Sequence, residues 1–261
     1  MKFTDLIRIS LVQPDIMWEK PADNFAHFLE LINSLFEPTD LVILPETCST
    51  GFTMKSNEFA EERNGKTESF FLGIADAKKI YIGGGWIEKN QNGLPFNTFS
   101  VASPTGDIVA RYRKIHPFSL GNEDQNYSGG SEIVRFKIKN FSVTPFICYD
   151  LRFPEIFRNV SGDTDLYLLI ANWPAERIET MVTLLKARAI ENVAFVAAVN
   201  RVGNAGRKNP IAHNGHSGIF HPDGKCLLMD SGKEGTLSSE ISKNWLDKFR
   251  ALHPYLKDRK F

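Results

Sequence analysis

The chain has 261 residues, of which 42% are hydrophobic, 24% charged and 11% aromatic. At roughly 100–200 residues per domain this is one large domain or two small ones, long enough to bury a sizeable core without staples. Lys plus Arg and Asp plus Glu number 31 each, so the formal charges cancel. No dense basic run is available to track phosphate, which excludes nucleic acid as the first partner class.

The longest apolar runs, Leu166 to Ala171 and Ala194 to Val199, are far shorter than the about 20 residues of a spanning helix, so no membrane partner is expected. Asp5 and Arg8 interrupt the region where a secretory signal needs an apolar run. Cys48, Cys148 and Cys226 are too few and too scattered for a disulfide framework. A cytoplasmic protein with reduced thiols is expected.

In chain order, Ile7 to Gln13 reads as a strand. Pro21 to Phe36 reads as a helix, because Phe25, Phe28, Leu29, Ile32, Leu35 and Phe36 recur at helical spacing. Asp40 to Leu44 is a short buried strand. Thr67 to Lys79 is a second amphipathic helix, with Thr67 as N-cap and Phe70, Phe71 and Ile74 facing inward.

The period then changes to two. Ile80 to Glu88, Phe96 to Ser103 and Asp107 to Lys114 are strands separated by Asn92-Gly93 and by the turn at Pro104 to Asp107. A polar loop from Ser119 to Ser131 leads to strands Ile133 to Ile138 and Phe141 to Cys148. Next come strand Asp165 to Ala171, helix Ala175 to Glu191, strand Ala194 to Asn200, a hairpin across Pro222-Asp223-Gly224 and a helix from Ser242 to Leu252. Alternating strands and helices with much antiparallel pairing give one α/β domain over residues 1–261 with helices in two layers.

Three strand ends carry reactive groups. Cys148 ends the apolar strand VTPFIC. A thiol entering a turn or helix start meets backbone N–H groups that lower its pKa and can hold an oxyanion; alone, it reads equally as a small core residue. Leu41 to Pro45 delivers Glu46, and Arg111 to Arg113 delivers Lys114. Each alone is an ordinary loop carboxylate or surface lysine. Together, acid or base, ammonium and thiol at strand ends form a set suited to acyl transfer.

Leu44-Pro45-Glu46, Arg113-Lys114-Ile115-His116 and Ile147-Cys148-Tyr149-Asp150-Leu151-Arg152-Phe153-Pro154-Glu155 resemble, in order, the three signature segments of the nitrilase superfamily. Ala171-Asn172-Trp173-Pro174-Ala175 and Ala187 to Asn192 resemble its bacterial omega-amidase branch. The resemblance implies a four-layer αββα sandwich. It also implies that Cys148 attacks an amide carbonyl, that Glu46 serves as general base and then acid, and that Lys114 and the Tyr149 N–H hold the oxyanion. A thioester follows, which water hydrolyses with no metal or organic cofactor.

A second carboxylate of the superfamily matches the loop Gly121 to Gly130, with Glu123 the better placed and Asp124 adjacent. A small diacid monoamide of the 2-oxoglutaramate or 2-oxosuccinamate type is the implied substrate, and its distal carboxylate calls for Arg152 or Arg177, with Trp173 walling the pocket. The family also implies a homodimer. The same core serves N-carbamoyl amines, nitriles and simple aliphatic amides, or a non-catalytic binding protein.

Other signals point elsewhere. His213, His216, His221 and Cys226 do not match a zinc spacing. Gly83-Gly84-Gly85 runs into a strand and not the helix a dinucleotide fingerprint needs, so it reads as close backbone passage. His116, two residues beyond Lys114, shares its face on an extended segment and is the base that a Cys–His hydrolase would use.

Overall fold

The computed structural model describes residues 5–35, 38–228 and 232–260. The first half comprises β1 (Leu6–Gln13), α1 (Pro21–Asn33), β2 (Leu41–Ile43), α2 (Ser56–Phe59), α3 (Lys66–Lys78), β3 (Tyr81–Glu88), β4 (Phe96–Ala102) and β5 (Ile108–Arg113). The second comprises β6 (Phe136–Ile138), β7 (Phe141–Ile147), α4 (Pro154–Asn159), β8 (Leu166–Ala171), α5 (Ile178–Asn192), β9 (Phe195–Asn200), β10 (Val202–Ala205), β11 (Ile211–Asn214), β12 (Gly218–Phe220), β13 (Cys226–Leu228), β14 (Gly235–Ser242) and α6 (Lys243–Leu252).

Two six-stranded mixed sheets form, in the orders β14-β1-β2-β3-β4-β5 and β13-β12-β9-β8-β7-β6. In the first, side chains alternate between two cores, as a period of two demands. Leu41 and Ile43 of β2 join Ile9, Phe99 and Tyr112 against the second sheet, whereas Val42 and Leu44 turn outward. That outward face is covered by Phe28 and Ile32 of α1 and Phe71, Ile74 and Ala75 of α3. In the second sheet β8 and β9 are buried on both faces, the signature of parallel strands under a helical layer. Met181, Leu185 and Ala189 of α5, with Phe157 of α4, cover it. The result is the expected αββα sandwich.

Four boundaries differ from expectation. Helix α3 begins at Lys66 with Gly65 as N-cap, and the Thr67 hydroxyl donates to Glu61 Oε1 at 2.6 Å, so Thr67 is not the cap. Helix α1 ends at Asn33, and Phe36 lies outside the described residues. Strand β6 starts at Phe136 and not Ile133, and the segment from Ala175 opens as a 3-10 turn before α5. Strands β10, β11 and β14 were unforeseen. The last of these pairs antiparallel with all of β1, from Leu6 opposite Ser242 to Gln13 opposite Gly235.

Strands β1, β2 and β3 are mutually parallel, and β5 reaches the same direction through two antiparallel steps. Strands β7, β8 and β9 are likewise parallel. The C-terminal ends of β2 and β5 in one sheet therefore meet those of β7 and β8 in the other, where such folds gather ligands.

Candidate active site

Glu46 follows β2 in a tight reversal in which Thr47 adopts φ +40°. Strand β3 runs against this turn: Gly85 N–H donates to Pro45 O at 2.9 Å, and Cys48 N–H donates to Gly85 O at 2.8 Å. A Cβ at position 85 would stand 2.3 Å from Thr47 N and 2.7 Å from Glu46 Cα. The glycine run is thus a close passage of backbone, as its sequence context indicates, and its place is beside the carboxylate.

Behind Glu46 lies a closed polar cluster. Lys114, 1% exposed, donates through Nζ to Glu46 Oε1 at 2.9 Å and to Glu123 Oε2 at 2.8 Å. Asn97 Nδ2 also donates to both carboxylates, to Glu46 Oε1 at 2.8 Å and Glu123 Oε1 at 2.9 Å. Phe118 N–H adds a third donor to Glu123 at 2.6 Å. Across the sheet interface, Asn172 N–H donates to Glu46 Oε2 at 2.7 Å and Asn172 Nδ2 to Glu46 O at 2.7 Å. Burial opposes the Lys114 charge, but the flanking Glu123 and Glu46 carboxylates outweigh it and hold the ammonium well above its ordinary pKa. Burial raises Glu123 despite the opposing pull of Lys114.

Cys148 sits where β7 ends and a 3-10 turn, Cys148–Arg152, begins, and its φ is +44°. A non-glycine residue in this region is held by its surroundings, and here they are visible. Buried Asp150 accepts from Ile147 N–H at 3.1 Å, from the Tyr112 hydroxyl at 2.7 Å and from His116 N–H at 3.0 Å. Arg188 of α5 donates to Leu151 O at 2.7 Å. Tyr112 precedes Lys114 by two residues, so Asp150 ties the lysine's strand to the turn that carries the thiol. Burial, reinforced by the Glu46 charge and opposed by Lys114, pushes the Cys148 thiol well above its usual range. It therefore rests protonated.

Glu46, Lys114, Cys148 and Tyr149 line one cavity of about 270 Å³, walled by Trp18, Phe52, Met54, Phe118 and Trp173. Arg152, which places its guanidinium 5.3 Å from the Trp173 ring centre, and Arg177 lie on the same lining. Arg177 is also paired with Glu176 at 3.0 Å and sits 5.6 Å from the Phe118 ring centre. The His116 ring bonds Asp150 at 2.8 Å and stacks on Phe153 at 3.8 Å, away from a role as base toward Cys148. His213 faces the cavity, whereas His221 packs against Phe195 and Trp245. No group of three or more metal-capable side chains, and no helix long and apolar enough to cross a membrane, occurs among the described residues.

A model of the carbon-nitrogen hydrolase family matches residues 8–251. The chain belongs to the carbon-nitrogen hydrolase family. This hydrolase of the nitrilase superfamily is 34% identical over 243 residues to the 2-oxoglutaramate amidase of Bacillus subtilis (strain 168), covering 92% of this chain and 91% of the relative. It is 34% identical over 263 residues to the omega-amidase YafV of Yersinia enterocolitica, covering 97% and 96%. The crystal structure of XC1258 from Xanthomonas campestris, a CN-hydrolase superfamily protein with an arsenic adduct in the active site, shares 36% identity and a TM-score of 0.92 over 98% of both chains.

In this hydrolase every site residue expected from sequence falls in or directly behind the cavity, with Glu123 rather than Asp124 bonded to Lys114. Sequence reasoning missed Asn97, which joins both carboxylates, and the Asp150–Tyr112 tie. It noted Asn172 only within a branch segment, without its bonds to Glu46. It also missed His213, whose burial beside Arg201 lowers its pKa to about 4 and keeps it neutral in the cavity wall.

Proposed function

We propose that this hydrolase is a cytoplasmic, homodimeric, single-domain omega-amidase that releases ammonia from a small dicarboxylate monoamide of the 2-oxoglutaramate or 2-oxosuccinamate type. The observation that carries this reading is the buried Lys114, held at 2.9 Å from Glu46 and 2.8 Å from Glu123 at the base of a cavity shared with Cys148. An ammonium so fixed stands ready for charge that appears only in the transition state, which is the condition for electrostatic catalysis.

Cys148 Sγ attacks the amide carbonyl carbon as its proton passes to Glu46. The carbonyl oxygen becomes an oxyanion held by Lys114 Nζ and the Tyr149 N–H. On collapse, the C–N bond breaks and the proton on Glu46 leaves with the nitrogen as ammonia, which leaves a thioester on Cys148. Glu46 then takes a proton from water, whose oxygen adds to the thioester carbonyl. The second collapse breaks the C–S bond, returns the proton to sulfur and frees the carboxylic acid product. Glu123 keeps Lys114 in place through both steps. Arg152, backed by the Trp173 face, receives the distal carboxylate, with Arg177 beside it.

The test is ammonia release from 2-oxoglutaramate and 2-oxosuccinamate, with Cys148→Ala beside the wild type. Release by the wild type alone is expected. No release from either compound overturns the substrate reading, and turnover by Cys148→Ala overturns the thioester.

A further inference from the structure

The loop between β10 and β11 brings Lys208 and Asn209 to the cavity lining. Two anchors hold this hairpin over the site. At its base, fully buried Arg201 donates to Asp15 Oδ1 at 2.7 Å and Ile16 O at 3.0 Å. Within its loop, Arg207 pairs with Glu19 at 3.2 Å. The Glu19 carboxylate, only 4% exposed, also accepts from Lys55 Nζ at 3.0 Å and Thr53 Oγ1 at 2.8 Å. One carboxylate thus ties together three segments that each supply a cavity wall: Trp18, the Phe52–Met54 stretch and the hairpin.

The residue after that latch is Lys208. Its side chain is exposed and makes no hydrogen bond or ion pair among the described residues. Glu46 on the lining and Glu123 behind it are already matched by Lys114, and Arg177 is paired with Glu176. Lys208 is accordingly an unspent cation on the lining of an apolar-walled cavity, held there by its neighbours and not by a partner of its own.

We propose that Lys208 is a specificity-determining residue that binds the carboxylate at the end of the substrate distal to the scissile amide, carried into place by the Arg207–Glu19 latch. This rests on the dicarboxylate-monoamide reading above and adds to its two arginines a separately mounted cation. An ammonium on a flexible stem acts as a point charge without the fixed fork of a guanidinium. Lys208 therefore recognises the charge, while Arg152 recognises the planar shape, and the pair admits monoamides of different chain length.

The experiment compares 2-oxoglutaramate with butyramide, an amide lacking the carboxylate, in the wild type, Lys208→Gln, Lys208→Glu and Arg207→Ala. For Lys208→Gln, KM for 2-oxoglutaramate rises roughly tenfold, as for loss of a hydrogen bond to a charged group. The ratio of kcat/KM for 2-oxoglutaramate to that for butyramide falls with it, and falls further in Lys208→Glu. Arg207→Ala, which frees the loop but keeps the lysine, shows part of the same KM effect. Wild-type discrimination retained in Lys208→Glu overturns the proposal while leaving the omega-amidase reading in place. Absence of wild-type turnover on 2-oxoglutaramate and 2-oxosuccinamate overturns both.

Discussion

Replacing Asn97 by Asp isolates what the buried amide does, because the two side chains have the same shape and no cavity is made. Asn97 is 1% exposed and gives its Nδ2 to Glu46 at 2.8 Å and to Glu123 at 2.9 Å. A hydrogen bond to a charged group is worth about 1.5–3 kcal/mol, so losing both destabilises by about 3–6 kcal/mol before any repulsion is counted. At roughly 2–4 °C per kcal/mol for a chain of this size, the melting temperature falls by roughly 10 °C. Turnover falls on the order of 10²-fold, since Lys114 no longer sits where an oxyanion forms. The deficit also depends on pH. Beside two carboxylates the new Asp has a folded pKa above its unfolded value of about 3.9, so the repulsive part of the loss is absent in acid and grows as pH rises. Calorimetry across pH and ammonia release on the same preparation read all three effects. A variant that melts with the wild type and turns over normally refutes the reasoning that Asn97 holds the two carboxylates.

Gly85→Ala should cripple turnover out of proportion to its size, because the added Cβ, 2.3 Å from Thr47 N, must push the Glu46 turn aside; near-normal kcat would show that the turn yields freely. His213 is lowered by burial from 6.5 to about 4, so the unfolded chain takes up the proton first as pH falls. Its contribution is complete above pH 6.5 and is lost down to about pH 4, worth up to about 3 kcal/mol, and His213→Asn should flatten that limb of the stability profile. Burial raises the Cys148 thiol, so alkylation by iodoacetamide, followed on its own peptide, should still be accelerating at pH 9, where an ordinary thiol with pKa about 8.5 is levelling off. A plateau near neutral pH would mean a resting thiolate.

The strands that end in Glu46, Lys114 and Cys148 were legible because their apolar runs and turn chemistry are local. The partners of those residues were not. Asn97 stands on a strand whose alternation reads equally as polar-outward, and Asn172 reaches Glu46 across 126 positions of sequence. Strand β14, GTLSSEIS, has little apolar signal of its own; its place comes from the edge offered by β1, more than two hundred residues earlier. Thr67 failed as a cap because Glu61 had already claimed its hydroxyl and N–H. The spacing of His213 from its neighbours bears on metal binding and says nothing about a neutral ring in a cavity wall.

The groups proposed to do the chemistry are divided between the sheets: Glu46 and Lys114 follow strands of one, and Cys148, with Asn172 that bonds Glu46, follows strands of the other. Neither sheet alone carries a working set, however well formed its strands. Activity is therefore a gauge of sheet docking. In mild denaturant it should vanish when the sandwich first parts, ahead of the loss of far-ultraviolet dichroism, and on refolding it should return last. A folding intermediate with only one sheet built is chemically silent, so a nascent chain gains activity only once the second sheet has docked on the first.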